Sequence, residues 1–252
     1  MKKIIKIIVA ILAATLFFGT FVTASGNGWG LSFPTPGETP KGNECTDYLK
    51  KFDAYFVGNP DENVIYLTFD GGYEAGYTDG ILDVLKANKV PAAFFLTGNT
   101  IRDNPDLIRR MVADGHIVAN HTFSHPNMTK ITDINAFHAE LQKSEEQFEE
   151  ITGQKMPKYY RPPEGKYSES NLQMAKELGY KTMFWSLAYV DWNDNAQPTK
   201  DEAFSKLLPR VHPGAIILLH NTSETNSVIM EELILKYREM GYEFKSLDYL
   251  VR

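Results

Sequence analysis

An intrachain disulfide is excluded at the outset, because the 252 residues include one cysteine, Cys45. The core must therefore hold itself together by packing. Cys45 also lacks the apolar, small-residue lead-in of a lipoprotein, which argues against lipidation. Positive charge is in deficit, with 26 Lys and Arg against 32 Asp and Glu, a net charge of −6. Binding to nucleic acid needs Lys and Arg concentrated on a face, so polyanions are excluded as the main ligand and a neutral or locally polar substrate is expected. There is no internal repeat and no low-complexity block. A chain of this length that is 43% hydrophobic can bury one substantial core, and a single catalytic domain is the simplest expectation.

At the N-terminus, Lys2, Lys3 and Lys6 precede an apolar run from Ile7 to Val22 and the small-residue exit Val22-Thr23-Ala24. This is the layout of a secretory signal cleaved after Ala24. The run also fits an uncleaved anchor, the one membrane contact the sequence offers, and both readings export the remainder. Residues 25–60 read as a linker and docking segment. Ser25 to Asn43 is rich in Gly, Pro and polar residues and reads as a tether or strap. Asp47 to Phe56 reads as a short helix with Tyr48, Leu49, Phe52 and Tyr55 on its apolar face.

Residues 61–252 alternate strand-like and helix-period segments. Strands are expected at Val64–Phe69, Ala92–Leu96, Ile117–Asn120, Tyr159–Tyr160, Thr182–Leu187, Ala215–Leu219 and Tyr242–Phe244. Helices are expected at Thr78–Asn88, from Pro105, from a Thr132 cap to Gly153, and at Glu169–Leu178, Asp201–Leu208 and Val228–Met240. About seven such alternations imply an α/β fold, a closed or nearly closed barrel of parallel strands with helices outside. Active sites of such barrels gather at the C-terminal ends of the strands. Here those ends hold Asp70, His121 and His125, Arg161, Asp191, and His220.

Each position has an ordinary explanation when taken alone. Asp70-Gly71-Gly72 is a common way to leave a strand. His121 and His125, four residues apart, would share a face on a helical turn and could reach one divalent cation, yet such pairs also arise on solvated turns. Arg161 could be a surface residue on a loop stiffened by Pro162 and Pro163, or it could pair with a buried carboxylate and hold it ionised. Asp191 could cap the core beside Trp192, and a lone strand-end histidine such as His220 is commonly structural. His116, His138 and His212 show no partner pattern and read as structural or exposed.

The combination is more specific than its parts. Thr68-Phe69-Asp70, His121-Thr122-Phe123-Ser124-His125, Arg161-Pro162-Pro163, Val190-Asp191-Trp192 and Leu218-Leu219-His220 resemble, in order, five motifs of the polysaccharide deacetylases (NodB-like, carbohydrate esterase family 4). Thr68 to Tyr77 and Phe184 to Trp192 are most similar to the branch that deacetylates N-acetylmuramic acid on the way to the muramic δ-lactam of spore cortex. The resemblance implies a distorted, closed or incomplete NodB-like barrel and hydrolysis of an N-acetyl group. It implies Asp70 as general base, His220 as general acid, Asp191 as the carboxylate that orients it, and Arg161 as the partner of the base. His121 and His125 become metal ligands, and Gly71, Tyr73, Glu164 and Trp192 substrate-side positions. Most of the family carries a further metal-ligating Asp at the position of Gly71, so zinc or another transition metal would be weakly held here; Glu74 is the one replacement ligand nearby. Glu164 stands where the family often has an aromatic residue. The implied partner is a peptidoglycan strand stripped of stem peptides, met outside the cell membrane in the wall or at the forespore. Two other readings share the fold: a deacetylase of N-acetylglucosamine in peptidoglycan or chitin oligomers, and a glycan-binding domain without catalysis.

Overall fold

The structure is a computed structural model that describes residues 27–252; the leader expected at 1–24 lies outside the described residues. Eight strands run parallel in one curled sheet. They are β1 (Ala54–Tyr55), β2 (Val64–Gly71), β3 (Ala92–Leu96), β4 (Ile117–Asn120), β5 (Tyr159–Tyr160), β6 (Lys181–Met183), β7 (Leu187–Ala188) and β8 (Ile216–His220). Their spatial order is β7-β8-β2-β3-β4-β5-β6-β1. This is the distorted NodB-like (β/α) barrel, and it remains open between β7 and β1.

Burial on both faces explains the near-continuous apolar strands. All eight residues of β2 are buried, and alternation sends them to two cores. Ile65, Leu67 and Phe69 pack outward with Ile81, Leu82 and Leu85 of α2 (Thr78–Ala87) and Ile229, Met230 and Leu233 of α8 (Glu224–Glu239). Val64 and Tyr66 face the barrel interior with Ala93, Phe95, Ala119 and Met183. Asp70 shares the interior parity, so the pattern that buries Tyr66 also aims the carboxylate into the barrel mouth.

The register sets the strand ends level. Asp70 lies opposite both His220 and Phe95, Leu96 opposite Asn120, and Asn120 opposite Tyr160. His121 and Arg161 each follow the last residue of their strand, so the barrel mouth collects them without long loops.

Several elements differ from expectation for local reasons. The helix expected over 47–56 is confined to α1 (Thr46–Lys50), because Asp53 adopts a left-handed φ of 52° and turns the chain into β1. There the Asp53 carbonyl accepts from Thr182 N at 3.0 Å, which adds an eighth strand from within the segment read as linker. The single strand expected over 182–187 is two, β6 and β7. The long helix α5 (Ile134–Thr152) is capped by Asp133, whose side chain accepts from Ala136 N at 2.9 Å, and not by Thr132. Helix α8 begins at Glu224, capped by Ser223, four residues ahead of the expected start. Glu243–Phe244 pairs with the start of β2, outside the barrel path. Short helices at Gly98–Asp103 and Leu247–Leu250 were not anticipated.

Residues 27–43 behave as a strap. Asn27–Gly28 pairs antiparallel with Lys166–Tyr167. Trp29 stacks on Phe184 at 4.6 Å, and its Nε1–H donates to the Trp185 carbonyl at 2.9 Å. The strap thus closes over the wall that carries Trp185. Truncating a buried aromatic costs about 3–5 kcal/mol, so Trp29→Ala should lower unfolding free energy in urea by about that amount while Trp29→Phe recovers most of it; equal losses in both variants would mean that the ring is not a packing anchor.

Candidate active site

A cavity of about 500 Å³ opens at the C-terminal mouth of the barrel, and its lining includes Asp70, His121, His125, Glu164, Trp192 and His220. Its organising contact lies just beneath. Arg161 is fully buried, and its Nη1 donates to Asp70 Oδ1 at 2.6 Å. Three further hydrogen bonds hold the fork: Nε donates to the Met183 carbonyl at 2.9 Å, and Nη2 to Thr68 Oγ1 at 3.0 Å and the Phe184 carbonyl at 3.3 Å. The guanidinium lies over the Phe95 ring at 4.1 Å. A surface role for Arg161 is thereby ruled out.

Asp70 is 6% exposed. Burial would raise its carboxyl, but the charge of Arg161, then that of His121 and His220, outweighs this and holds it below the ordinary carboxylate range. Oδ1 is committed to Arg161, which leaves Oδ2 toward the cavity, 3.8 Å from His121 Nε2.

His220 is set up in the opposite sense. Burial would lower it, but the hydrogen bond and charge of Asp191, with Asp70 behind them, raise it above the usual imidazole value. Nδ1–H donates to Asp191 Oδ1 at 2.7 Å, so Nε2 is the nitrogen left for the cavity. Asp191, 1% exposed, also accepts from the His220 backbone N at 2.8 Å and from Asn226 Nδ2 at 2.6 Å. Asn226 in turn donates to the His220 carbonyl at 3.0 Å. Sequence reasoning missed Asn226, because an asparagine in the first turn of a helix reads as capping chemistry.

His121 and His125 do meet, with ring centroids 4.9 Å apart, but not on the helical turn their spacing suggested. The loop between them is coiled by Thr122 and His125 at φ 67° and 58°. Asn120 Oδ1 accepts from Thr122 N at 2.9 Å, and Thr122 Oγ1 accepts from His125 N at 3.0 Å. His121 Nδ1–H donates to the Arg161 carbonyl at 2.8 Å, and burial pushes this ring down to about 4. It is therefore neutral near pH 7 with an unprotonated Nε2, the state a metal ligand needs.

These two imidazoles fit a divalent transition metal ion, but a three-ligand protein centre does not fit. Among the described residues, no group of three or more His, Cys, Asp or Glu is arranged to hold a metal. Gly71 offers no side chain. Glu74 accepts instead from Gly76 N at 2.6 Å and from the Thr78 hydroxyl, so it serves the start of α2.

Of the substrate-side positions, Glu164 and Trp192 line the cavity and Gly71 and Tyr73 do not. Gly71 packs behind Asp70. Tyr73 bonds Asp194 and lines a separate small hollow with Thr222. Glu164 holds a left-handed φ of 55° and pairs with Lys166. Trp192 is 55% exposed with its ring 5.8 Å from His220. Trp185 and Gly165, not singled out in the sequence, complete the wall. His116 and His212 are buried, and His212 Nε2 pairs with Ser186 Oγ at 2.9 Å, away from the cavity.

Residues 57–183 match the family model described as polysaccharide deacetylase. The chain is 43% identical over 224 residues to the peptidoglycan-N-acetylmuramic acid deacetylase PdaA of Bacillus subtilis, covering 88% of this chain and 85% of that protein. The solved structure of B. subtilis PdaA, a family 4 carbohydrate esterase, superposes with a TM-score of 0.86 at 41% identity over 90% of this chain and 97% of that one. A family 4 carbohydrate esterase from Bacillus anthracis gives 0.75 at 42% identity over the same shares.

Two outcomes follow from the opposed charges. Arg161→Ala strands a buried carboxylate, which costs about 3–5 kcal/mol. Because the Asp70 pKa is lowered by folding, the pair's contribution is present above the unfolded carboxylate value and lost as pH falls through the folded one. The gap between variant and parent in urea unfolding should therefore be wide at neutral pH and shrink in acid, and a gap independent of pH would refute the pairing. Asp191→Asn removes what raises His220, so the alkaline limb of activity should move to lower pH; an unmoved limb would assign it to another group.

Proposed function

The chain belongs to the polysaccharide deacetylase family, and on that premise we propose that it hydrolyses the N-acetyl group of N-acetylmuramic acid residues in peptidoglycan. The observation that carries the reading is the pair of opposed groups at matched positions of adjacent strands: Asp70 biased toward its ionised form by Arg161, and His220 biased toward its protonated form by Asp191. Amide hydrolysis needs both, a base for water and an acid for a poor leaving group.

With the acetamide in the cavity, a water held by Asp70 Oδ2 loses its proton to the carboxylate as its oxygen adds to the acetyl carbon. His220 Nε2–H then gives a proton to the sugar nitrogen as the C–N bond breaks. Acetate and a free amine leave, the proton on Asp70 passes to solvent, and His220 Nε2 regains a proton from solvent, which resets both groups. Zinc or another transition metal held by His121 and His125 would polarise the carbonyl and make bound water more acidic. With two protein ligands it would be held less firmly than in a three-ligand site.

Trp192 supplies an exposed aromatic face for a sugar ring, and Glu164 forms the opposite wall. A second hollow of about 800 Å³ shares Trp185, Trp192 and Leu218 with the first, giving room for flanking sugars. Gly71 lies outside the cavity lining, and Tyr73 is placed to meet only an outlying part of the strand. The similarity to the N-acetylmuramic acid enzyme favours muramic acid without its stem peptide as the acceptor. The freed amine then lies on the same sugar as the lactyl carboxyl, and their condensation with loss of water gives the δ-lactam of spore cortex. Such a substrate puts the protein outside the cytoplasmic membrane, in the wall or at the forespore, consistent with residues 1–24 as an export signal or anchor and 61–252 as the deacetylase domain. Among the described residues, no helix is long and apolar enough to cross a membrane.

The test is incubation with amidase-treated glycan, with acetate release measured and the free amine located by mass spectrometry. The amine should appear on muramic acid, and Asp70→Asn should lose about 10²–10⁴-fold in rate. An amine on glucosamine would move the assignment to that sugar. Glycan binding without acetate release under any divalent ion would make the chain a binding domain.

A further inference from the structure

Gly71 is a filled position, not an empty one. A Cβ built on it would fall 2.3 Å from Asn221 Oδ1, 3.1 Å from Asn221 Cγ and 2.7 Å from Leu96 Cδ2, all but one of them closer than real Cβ contacts come. Neither neighbour is free to retreat. Leu96 is fully buried in the outer core. Asn221 is 1% exposed, and its backbone N approaches the Asp70 carbonyl at 3.4 Å.

The amide of Asn221 is pinned as well. Nδ2 donates to Thr78 Oγ1 at 2.8 Å, at the start of α2, and that hydroxyl spends its own proton on Glu74. Thr78 can therefore only accept from Asn221, which fixes the amide with Oδ1 toward Gly71. Oδ1 has no hydrogen-bond partner. An unpaired buried carbonyl is costly, so its position is imposed by the packing around it.

We propose that Asn221 fixes the cation site as a two-histidine one: its side chain occupies the volume from which a residue-71 carboxylate would start, so positions 71 and 221 form a coupled pair. A third, acidic ligand is then gained only when both change. This rests on reading His121 and His125 as cation ligands. It also assigns Glu74 a part in the exclusion, since Glu74 holds Thr78 and Thr78 holds Asn221.

Two measurements test it, one of them independent of any metal. In a melting cycle, Gly71→Ala should lower Tm by about 4 °C or more beside Asn221, as overpacking does, and by less than half as much beside Asn221→Ala. Equal losses in both backgrounds would overturn the coupling. In calorimetric titration with zinc, Gly71→Asp alone should leave affinity within threefold of the parent, whereas Gly71→Asp with Asn221→Ala should bind at least tenfold tighter. Tenfold tightening by Gly71→Asp alone would overturn the proposal. So would weakened zinc binding in Asn221→Ala, which would make Asn221 a ligand instead of the group that keeps one out. Zinc uptake that is unchanged in His121→Ala would overturn only the two-histidine reading, and the melting cycle would still decide the coupling.

Discussion

A guanidinium with no exposed surface, bonded to a carboxylate that is itself nearly buried, is the constraint on which the rest of this site depends. Desolvating Arg161 is costly, and the barrel meets that cost with four acceptors from two strand ends, those of β2 and β6, and an aromatic face. Thr68 illustrates how tightly the acceptors are themselves fixed, since its hydroxyl donates to the Ile217 carbonyl at 2.6 Å and so turns a lone pair to Arg161. The ion pair thus ties β2 to the ends of β5 and β6 and makes the charge of Asp70 a property of the fold. The same backbone step serves the neighbouring site, because the Arg161 carbonyl fixes the tautomer of His121.

Opposite charge preferences then coexist a strand apart. Asp70 and His220 share a register position on β2 and β8, and each has its own partner below the cavity. Without Asp191 burial would push His220 down, and without Arg161 it would push Asp70 up. Each group also steadies the other, since the Asp70 charge raises His220 and the His220 charge lowers Asp70. Asn226 belongs to this arrangement as a positioning residue, with Tyr189 donating to its carbonyl oxygen at 2.5 Å.

The parts legible in the sequence were those governed by periodicity. Val64–Phe69 and Ala215–Leu219 announce buried strands by composition alone, and the first of them already delivers Asp70 at its C-terminal end. The order of the five motifs was enough for the family. What could not be read was geometry set by single backbone torsions. Asp53 at φ 52° converts an apparent amphipathic helix into an edge strand, and Thr122 and His125 in left-handed conformations bring two histidines together by coiling a loop. Residue type marks those torsions only weakly, because Asp and His, though enriched in the left-handed region, mostly sit outside it, and Thr enters it rarely. Partners distant in sequence were equally hidden: Asn221 and Gly71 are 150 positions apart, and neither reads as unusual until the space between them is seen.

That hidden contact changes what a missing ligand means. From sequence, Gly71 is a deletion that weakens a metal site. In the structure the space is taken by an amide that cannot turn, held through Thr78 and Glu74 by the same α2 turn that follows the base. A second carboxylate beside Asp70 would add negative charge next to a group that Arg161 already balances one for one. Its absence leaves Asp70 paired with one strong cation, Arg161, and His121 with a free Nε2. The chemistry proposed for Asp70 and His220 therefore starts from side chains of the fold, Arg161 beside the one and Asp191 beside the other.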